Sequence, residues 1–182
     1  MPYSFRQSKL AADSSSPAVI AAFVCMMPLL AGAGCQEATT DAATAGTASV
    51  VDPSLVSQRG ALQFFEGWEL GQRVAAERNL PRLVFFTAHW CTYCRTMEAT
   101  TFADAQIGQL GREFVCVLVD ADREPGICRR LQVTGYPTVH ILGPSGTPLA
   151  ELRGWSSAPQ LADALRAALD RHALLERAAT MR

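Results

Sequence analysis

The fold is anchored in residues 83–95, which read Leu83-Val84-Phe85-Phe86-Thr87-Ala88-His89-Trp90-Cys91-Thr92-Tyr93-Cys94-Arg95. The run at its start is apolar and rich in β-branched and aromatic residues, which predicts a buried strand, and the polar residues after it permit a helix. Two thiols, Cys91 and Cys94, are therefore expected at a strand-to-helix turn. The backbone N–H groups of a first helical turn are unpaired and the helix dipole is positive there, so a thiolate at Cys91 is stabilised.

Cys94 follows Cys91 by about one helical turn, close enough for a disulfide between the two. This spacing predicts Cys91 as the nucleophile and Cys94 as the more shielded, resolving thiol of a redox pair. One CxxC pair is a moderate signal on its own, because half of a zinc knuckle or a static disulfide has the same spacing.

A second feature lies downstream, in Val133-Thr134-Gly135-Tyr136-Pro137-Thr138-Val139. A proline after a turn is allowed as the first residue of a strand, and an X-Pro bond is the realistic place for a cis peptide. An ordinary trans turn proline is the alternative for Pro137.

Together, Trp90-Cys91-x-x-Cys94 and Gly135-Tyr136-Pro137-Thr138 resemble the thioredoxin superfamily, over about residues 62–172. Within it, residues 94–104 are most similar to the C-terminal thioredoxin-like domain of the DsbD disulfide reductases and their small relatives. The resemblance implies an α/β, thioredoxin-like fold and a loop at Pro137 that faces the cysteines and holds the substrate chain. It also implies thiol:disulfide exchange in the reducing direction, for which no cofactor is predicted.

Four further residues near the cysteines are candidates for the site. The DsbD-like domain carries a glutamate at the place of Glu98, whose carboxylate is a candidate proton acceptor for Cys94; a solvated helix-face glutamate is the alternative. Trp90 and Tyr136 are expected to form an apolar substrate-docking surface beside Cys91, unless they serve packing alone. His89, if cationic, lowers the pKa of that thiol, and otherwise it is an exposed polar residue.

One departure from the thioredoxin pattern bears on proton transfer. Many thioredoxins bury an aspartate six residues before the first cysteine, often with a lysine near it, and these positions are Phe85 and Leu118 here. The proton of Cys94 is therefore expected to go to Glu98, to water or to a substrate group.

The first 60 residues differ in composition from the rest. Residues 1–35 predict an export signal, with Arg6 and Lys9 before an Ala-rich apolar run. Its end, Leu29-Leu30-Ala31-Gly32-Ala33-Gly34-Cys35, resembles a bacterial lipobox, which implies lipidation at Cys35 and tethering to a membrane in the periplasm. Ordinary cleavage near Ala33 and an uncleaved anchor are the alternatives. Residues 36–60 are poor in apolar side chains and are expected to form a flexible linker.

Residues 61–175 are predicted to form the thioredoxin-like domain, followed by a C-terminal tail over 176–182. We expect an opening helix that includes Phe64, Phe65 and Trp68 and ends before Pro81, then the order β-α-β-α-β-β-α. This order predicts a mixed central sheet with helices on both faces. The predicted elements after the cysteines are a helix over 96–110, broken near Asp104, a strand over 113–120, a short helix over 125–131, strands over 138–142 and 149–152, and a last helix capped by Ser157.

The six cysteines are assigned by position. Cys25 lies in the signal segment, and Cys35 is the lipidation candidate. Cys116 is expected inside a buried strand and Cys128 on the short helix. Both are interpreted as buried free thiols, with a disulfide between them or an auxiliary redox role for Cys128 as alternatives.

Three classes of function remain. The leading hypothesis is an exported, monomeric thiol:disulfide oxidoreductase that acts on disulfide-containing proteins and receives electrons from an unidentified membrane or exported donor. The second is a metal-binding module in which Cys91 and Cys94 act with Cys128, His89 or His140, although no metal site is predicted. The third is a non-catalytic docking domain. The net charge of −1 and the lack of a basic patch exclude nucleic acid as an expected partner.

Overall fold

The computed structural model describes residues 52–181. Two turns of 3-10 helix occur at Pro53–Leu55 and Gly111–Glu113. The regular elements, in chain order, are β1 (Val56–Arg59), β2 (Leu62–Glu66), α1 (Trp68–Arg78), β3 (Arg82–Thr87), α2 (Thr92–Thr100), α3 (Ala105–Leu110), β4 (Val115–Asp120), α4 (Pro125–Arg130), β5 (Thr138–Leu142), β6 (Pro148–Arg153) and α5 (Ala158–Thr180).

The strands form one six-stranded mixed sheet in the order β1-β2-β4-β3-β5-β6. The central strand β3 runs parallel to β4 and antiparallel to β5. β2 is parallel to β4, whereas the outer strands β1 and β6 pair antiparallel with their neighbours. The end of β3, from which the cysteine motif departs, therefore lies in the middle of the sheet.

Each face of the sheet carries its own hydrophobic core. Because side chains alternate along a strand, Leu83 and Phe85 enter one core, with residues of α2, α3 and α5. Val84 and Phe86 enter the other core, with residues of α1 and α4. The predicted α/β fold, a mixed sheet with helices on both faces, is confirmed.

Most of the predicted elements are confirmed. The break in the helix after the cysteines falls where expected, because Asp104 caps α3 by accepting hydrogen bonds from the backbone N–H groups of Gln106 and Ile107, at 2.8 and 3.2 Å. At the start of α5, Gln160 accepts a hydrogen bond from the backbone N–H of Ser157 at 2.9 Å, which places this residue at the N-cap as predicted.

The start of the domain differs from the prediction. The segment expected as a flexible linker over 36–60 ends in strand β1, which pairs with β2 over its whole length. The two strands are joined through Gly60, whose φ of +59° suits glycine, and the N–H of Ala61 donates to the carbonyl of Phe102 at 2.6 Å. The polar composition of β1 is typical of an edge strand. Because β1 lacks an apolar run, the sequence pattern does not predict it as a strand.

Two other boundaries are also corrected. Phe64 and Phe65 belong to strand β2 and not to the opening helix, which begins after Gly67. α5 continues to Thr180, so most of the predicted tail over 176–182 is helical. The signal segment 1–35 with Cys35, and the first part of the predicted linker, lie outside the described residues. Within residues 52–181, no helix is both long enough and apolar enough to cross a membrane.

Candidate redox site

Cys91 and Cys94 are joined by a disulfide at the turn between β3 and α2. Cys91 is the N-cap residue of α2, and its Sγ accepts a hydrogen bond from the backbone N–H of Cys94 at 3.1 Å. The carbonyl of Ala88 fixes the entry to the turn by accepting from the N–H of Cys91 at 3.0 Å. The predicted placement at a strand-to-helix turn is confirmed. Both cysteines are nearly buried, at 4% exposure for Cys91 and 1% for Cys94.

The proline loop lies beside the cysteine motif. The rings of Trp90 and Tyr136 are in edge contact, with centroids 5.9 Å apart. The Tyr136–Pro137 peptide is cis, as predicted, and the carbonyl of Pro137 accepts from the N–H of Gly154 at 2.8 Å. Trp90 is 59% exposed, and Tyr93 between the cysteines is also exposed, so aromatic surface is open to solvent next to the disulfide.

Asp122 anchors the residues in front of the disulfide and was not singled out from the sequence. Its carboxylate accepts hydrogen bonds from the backbone N–H of His89 at 3.1 Å and from the indole Nε1 of Trp90 at 3.2 Å, and lies 2.6 Å from Nδ1 of the His89 ring. The hydrogen bonds from His89 lower the pKa of this carboxyl. His89 is thus turned toward Asp122 on the exposed surface.

Glu98 is a half-buried carboxyl on α2, one turn after Cys94. Burial raises its pKa, and the charges of Arg59 and Arg95 oppose that rise. The Nη1 atom of Arg59 lies 3.9 Å from a carboxylate oxygen of Glu98. Arg59 is the last residue of β1, so the strand missed in the sequence contributes a charge to this site.

The two positions that depart from the thioredoxin pattern are neighbours. Phe85 on β3 pairs in register with Leu118 on β4, and both side chains are buried in the core that contains the disulfide. These positions therefore bring apolar surface, and no charge, toward Cys94.

The remaining described cysteines, Cys116 and Cys128, are free and buried, as predicted. They belong to the two different cores, so the sheet separates them. Burial raises the pKa of Cys116 to about 12, which suppresses its thiolate. Burial also raises the pKa of Cys128. Burial, together with a hydrogen bond to Cys128, raises the pKa of Tyr136 to about 12.

A metal centre has no support in the described part of the chain. Residues 52–181 contain no group of three or more His, Cys, Asp and Glu side chains placed to hold a metal ion. Of the residues considered as ligands, His89 contacts Asp122, and His140 contacts Glu151 on β6 at 3.3 Å.

Comparison with known proteins gives consistent results. A family model described as "Thioredoxin-like domain" matches residues 69–169, which is more than half of the chain. The thiol:disulfide interchange protein DsbD of Salmonella typhi is 29% identical over 96 residues, which cover 50% of this chain and 17% of that protein. A mitochondrial thioredoxin domain-containing protein of Schizosaccharomyces pombe is 35% identical over 65 residues, 36% of this chain and 18% of that protein. The chain thus matches about a sixth of the length of these relatives.

Solved structures share the fold. A thioredoxin from Thermus thermophilus aligns with a TM-score of 0.55 at 22% identity, over 59% of this chain and 87% of that one. A protein described as DsbH oxidoreductase aligns with a TM-score of 0.51 at 19% identity, over 65% of this chain and 90% of that one.

Proposed function

Because the chain belongs to the thioredoxin-like domain family, we propose that it reduces disulfides in exported proteins, with Cys91 as nucleophile and Cys94 as resolving thiol. One observation carries the proposal: the Cys91–Cys94 disulfide lies at the first turn of α2, where a backbone N–H already points at the sulfur of Cys91. In the reduced chain the same donor and the helix dipole stabilise a thiolate at that atom.

The exchange then proceeds in two balanced steps. The thiolate of Cys91 attacks one sulfur of a substrate disulfide, so that a mixed disulfide forms and the other substrate sulfur leaves as a thiolate that takes up a proton. Cys94 loses its proton and attacks the sulfur of Cys91, which releases the second substrate thiol. The substrate gains two electrons and two protons, and the chain returns to the disulfide form.

Glu98 is proposed as the proton acceptor for Cys94. Because burial raises the pKa of Glu98, this pKa lies closer to the pKa of a thiol than the pKa of an exposed glutamate does. A small difference in pKa between donor and acceptor suits a general base. The apolar pair Phe85 and Leu118 offers no competing ionisable group from β3 or β4. Trp90, Tyr136 and the cis Pro137 are proposed to hold the substrate chain against Cys91, since the exposed ring of Trp90 is in edge contact with the ring of Tyr136, the residue before Pro137.

We also propose that the chain is exported and carries a lipid anchor at Cys35. An exported or membrane-bound dithiol protein would supply its electrons. The similarity to DsbD proteins of Salmonella typhi and the lipobox-like residues before Cys35 support this part. Partition of the mature protein into the aqueous phase of a detergent extraction would contradict the lipid anchor.

The reduction of insulin disulfides by dithiothreitol tests the exchange reaction. We expect catalysis by the wild-type chain, loss of catalysis in Cys91→Ser and accumulation of a mixed disulfide in Cys94→Ser. Cys116→Ala is the matched control, because it removes a cysteine outside the motif, and it should keep the activity. An active Cys91→Ser variant would refute the mechanism, and an inactive wild-type chain would indicate a docking domain.

The direction of electron flow needs a separate measurement. A redox titration of the Cys91–Cys94 pair against glutathione or dithiothreitol buffers should give a strongly negative potential, as a reductase requires. A potential near those of strong periplasmic oxidants would reverse the direction proposed here.

A further inference from the structure

A cleft of about 710 Å³ lies at the end of the sheet where β3 begins and the β5–β6 hairpin turns, away from the disulfide. Its walls come from α1, α4, the first residue of β3, the β5–β6 hairpin and α5. Arg82 at the start of β3 lines this cleft, whereas the cysteine motif follows the end of the same strand. The strand alone separates the two by about 17 Å.

Arg82 is the unusual residue of the cleft, because it is only 2% exposed. Its Nε and Nη1 atoms are buried without a hydrogen-bond partner among the residues that the structure describes, and the same holds for Nε1 of Trp68 beside it. Arginine and tryptophan side chains only donate hydrogen bonds. The cleft thus contains several buried donors and lacks the matching acceptor, an arrangement that is costly for a folded chain.

The cleft also concentrates positive charge. The guanidinium groups of Arg82 and Arg130 both lie over the ring of Trp68, at 5.0 and 5.5 Å from its centroid. Neither forms an ion pair within residues 52–181. Arg171 adds a third guanidinium and donates to the carbonyl of Leu149 at 2.7 Å.

One carboxylate lines the cleft, and it already has partners. Glu151 accepts a hydrogen bond from Arg153 at 2.7 Å and contacts His140 at 3.3 Å. The cleft is lined by three guanidinium groups and one carboxylate, so its net charge is positive. A ligand that supplies both acceptors and negative charge would satisfy the buried donors of Arg82 and Trp68.

From these observations we propose that the cleft binds the phosphate group of a small molecule, held by Arg82 and Arg130 with Arg171 at its rim. A phosphate carries up to two negative charges near neutral pH, and its oxygens accept the paired donors of a guanidinium group. The cleft is larger than a phosphate ion and falls in the size range of small-molecule sites. Its apolar walls, Leu131, Leu142 and Pro148, would contact the organic part.

Isothermal titration calorimetry of the full chain with inorganic phosphate tests the site, with ionic strength held constant by sodium chloride. We expect saturable binding by the wild-type chain and at least about tenfold weaker binding by Arg130→Gln, because a hydrogen bond between charged groups is lost. Arg130 is exposed at the cleft, so its replacement should not disturb folding. Arg82→Met, which keeps the apolar stem of the buried residue, should abolish binding.

Arg166→Gln is the control, because it removes an arginine that pairs with Asp163 on α5 outside the cleft. It should bind phosphate as the wild-type chain does. Heat exchange that does not saturate, or equal affinity in Arg130→Gln and the wild type, would overturn the proposal. Water would then be the hydrogen-bond partner of the buried donors.

The source of the phosphate is a second arm of the same experiment. Sedimentation with phosphatidylglycerol vesicles that is weakened by Arg130→Gln would assign the site to a lipid headgroup. Sedimentation unaffected by that change, together with saturable binding of inorganic phosphate, would assign it to a phosphate-bearing molecule in solution. Insulin reduction should be the same in Arg130→Gln and the wild type, because the cleft and the disulfide lie at opposite ends of β3.

Discussion

Replacement of Arg59 by glutamine tests whether strand β1 influences the proton acceptor proposed for Cys94. The Nη1 atom of Arg59 lies 3.9 Å from Glu98, and the two side chains are 38% and 20% exposed. At an effective dielectric constant of about 20, this distance corresponds to an attraction of about 4 kcal/mol. Solvent screening of a partly exposed pair reduces this to about 1 kcal/mol. The variant should therefore lower the ratio of ionised to protonated Glu98 roughly fivefold at a given pH.

The rate of the second exchange step, followed against pH in a single turnover, measures this change. Only the ionised carboxylate accepts a proton, so the acid limb of the profile should move to higher pH in Arg59→Gln. Glu98→Gln should remove that limb. Arg166→Gln, which breaks a comparable ion pair on α5, should leave the profile unchanged.

Stability gives an independent readout with a defined sign. Since burial raises the pKa of Glu98, the folded chain keeps this proton at pH values where the unfolded chain has lost it. The free energy of unfolding should fall as pH rises from the ordinary carboxyl pKa through the raised one. Arg59→Gln should extend this fall to higher pH. Superimposable rate profiles and stability curves for Arg59→Gln and the wild type would refute the reasoning, and a Glu98→Gln profile like that of the wild type would remove Glu98 from the mechanism.

Three further predictions concern the site and its support. As pH falls through the lowered pKa of Asp122, the hydrogen bond from the indole of Trp90 should weaken, because the contribution of this carboxylate is present only above that pKa. Tryptophan fluorescence should report the transition, and the fluorescence of Asp122→Asn should show no such transition. Gly71→Ala places a methyl group against the side chain of Val117, so it should lower the free energy of unfolding in urea by about 1–3 kcal/mol, and Val117→Ala in the same chain should recover part of the loss. Because burial raises the pKa of Cys116 to about 12, iodoacetamide should leave this thiol unmodified in the native reduced chain while it modifies Cys91; peptide mass spectrometry would show early labelling of Cys116 if this is wrong.

The parts of the site that the sequence predicts correctly are encoded locally. Three features can each be recognised within a few residues: an apolar strand, two cysteines one helical turn apart and a proline at the start of a strand. They place Cys91, Cys94 and Pro137 correctly. The β-type apolar runs and the turn-rich residues between them also place β4, β5 and β6 within two residues of their observed bounds.

The parts that it misses depend on contacts between distant segments. β1 is short and polar, and only its pairing with β2 makes it a strand. Arg59 meets Glu98 because that hairpin lies against α2, and Asp122 meets Trp90 because β3 and β4 end side by side. No pattern within either segment specifies these neighbours, whereas the register of the sheet does.

The hairpin at the start of the domain also governs how a recombinant fragment should be designed. A fragment cut just before Ala61, where the composition changes, would lack β1 and leave the outer edge of β2 open to pairing with other molecules, which favours aggregation. A fragment that starts upstream of Asp52 keeps that edge covered, and with it the turn in which this aspartate accepts the N–H of Ser54 at 2.9 Å.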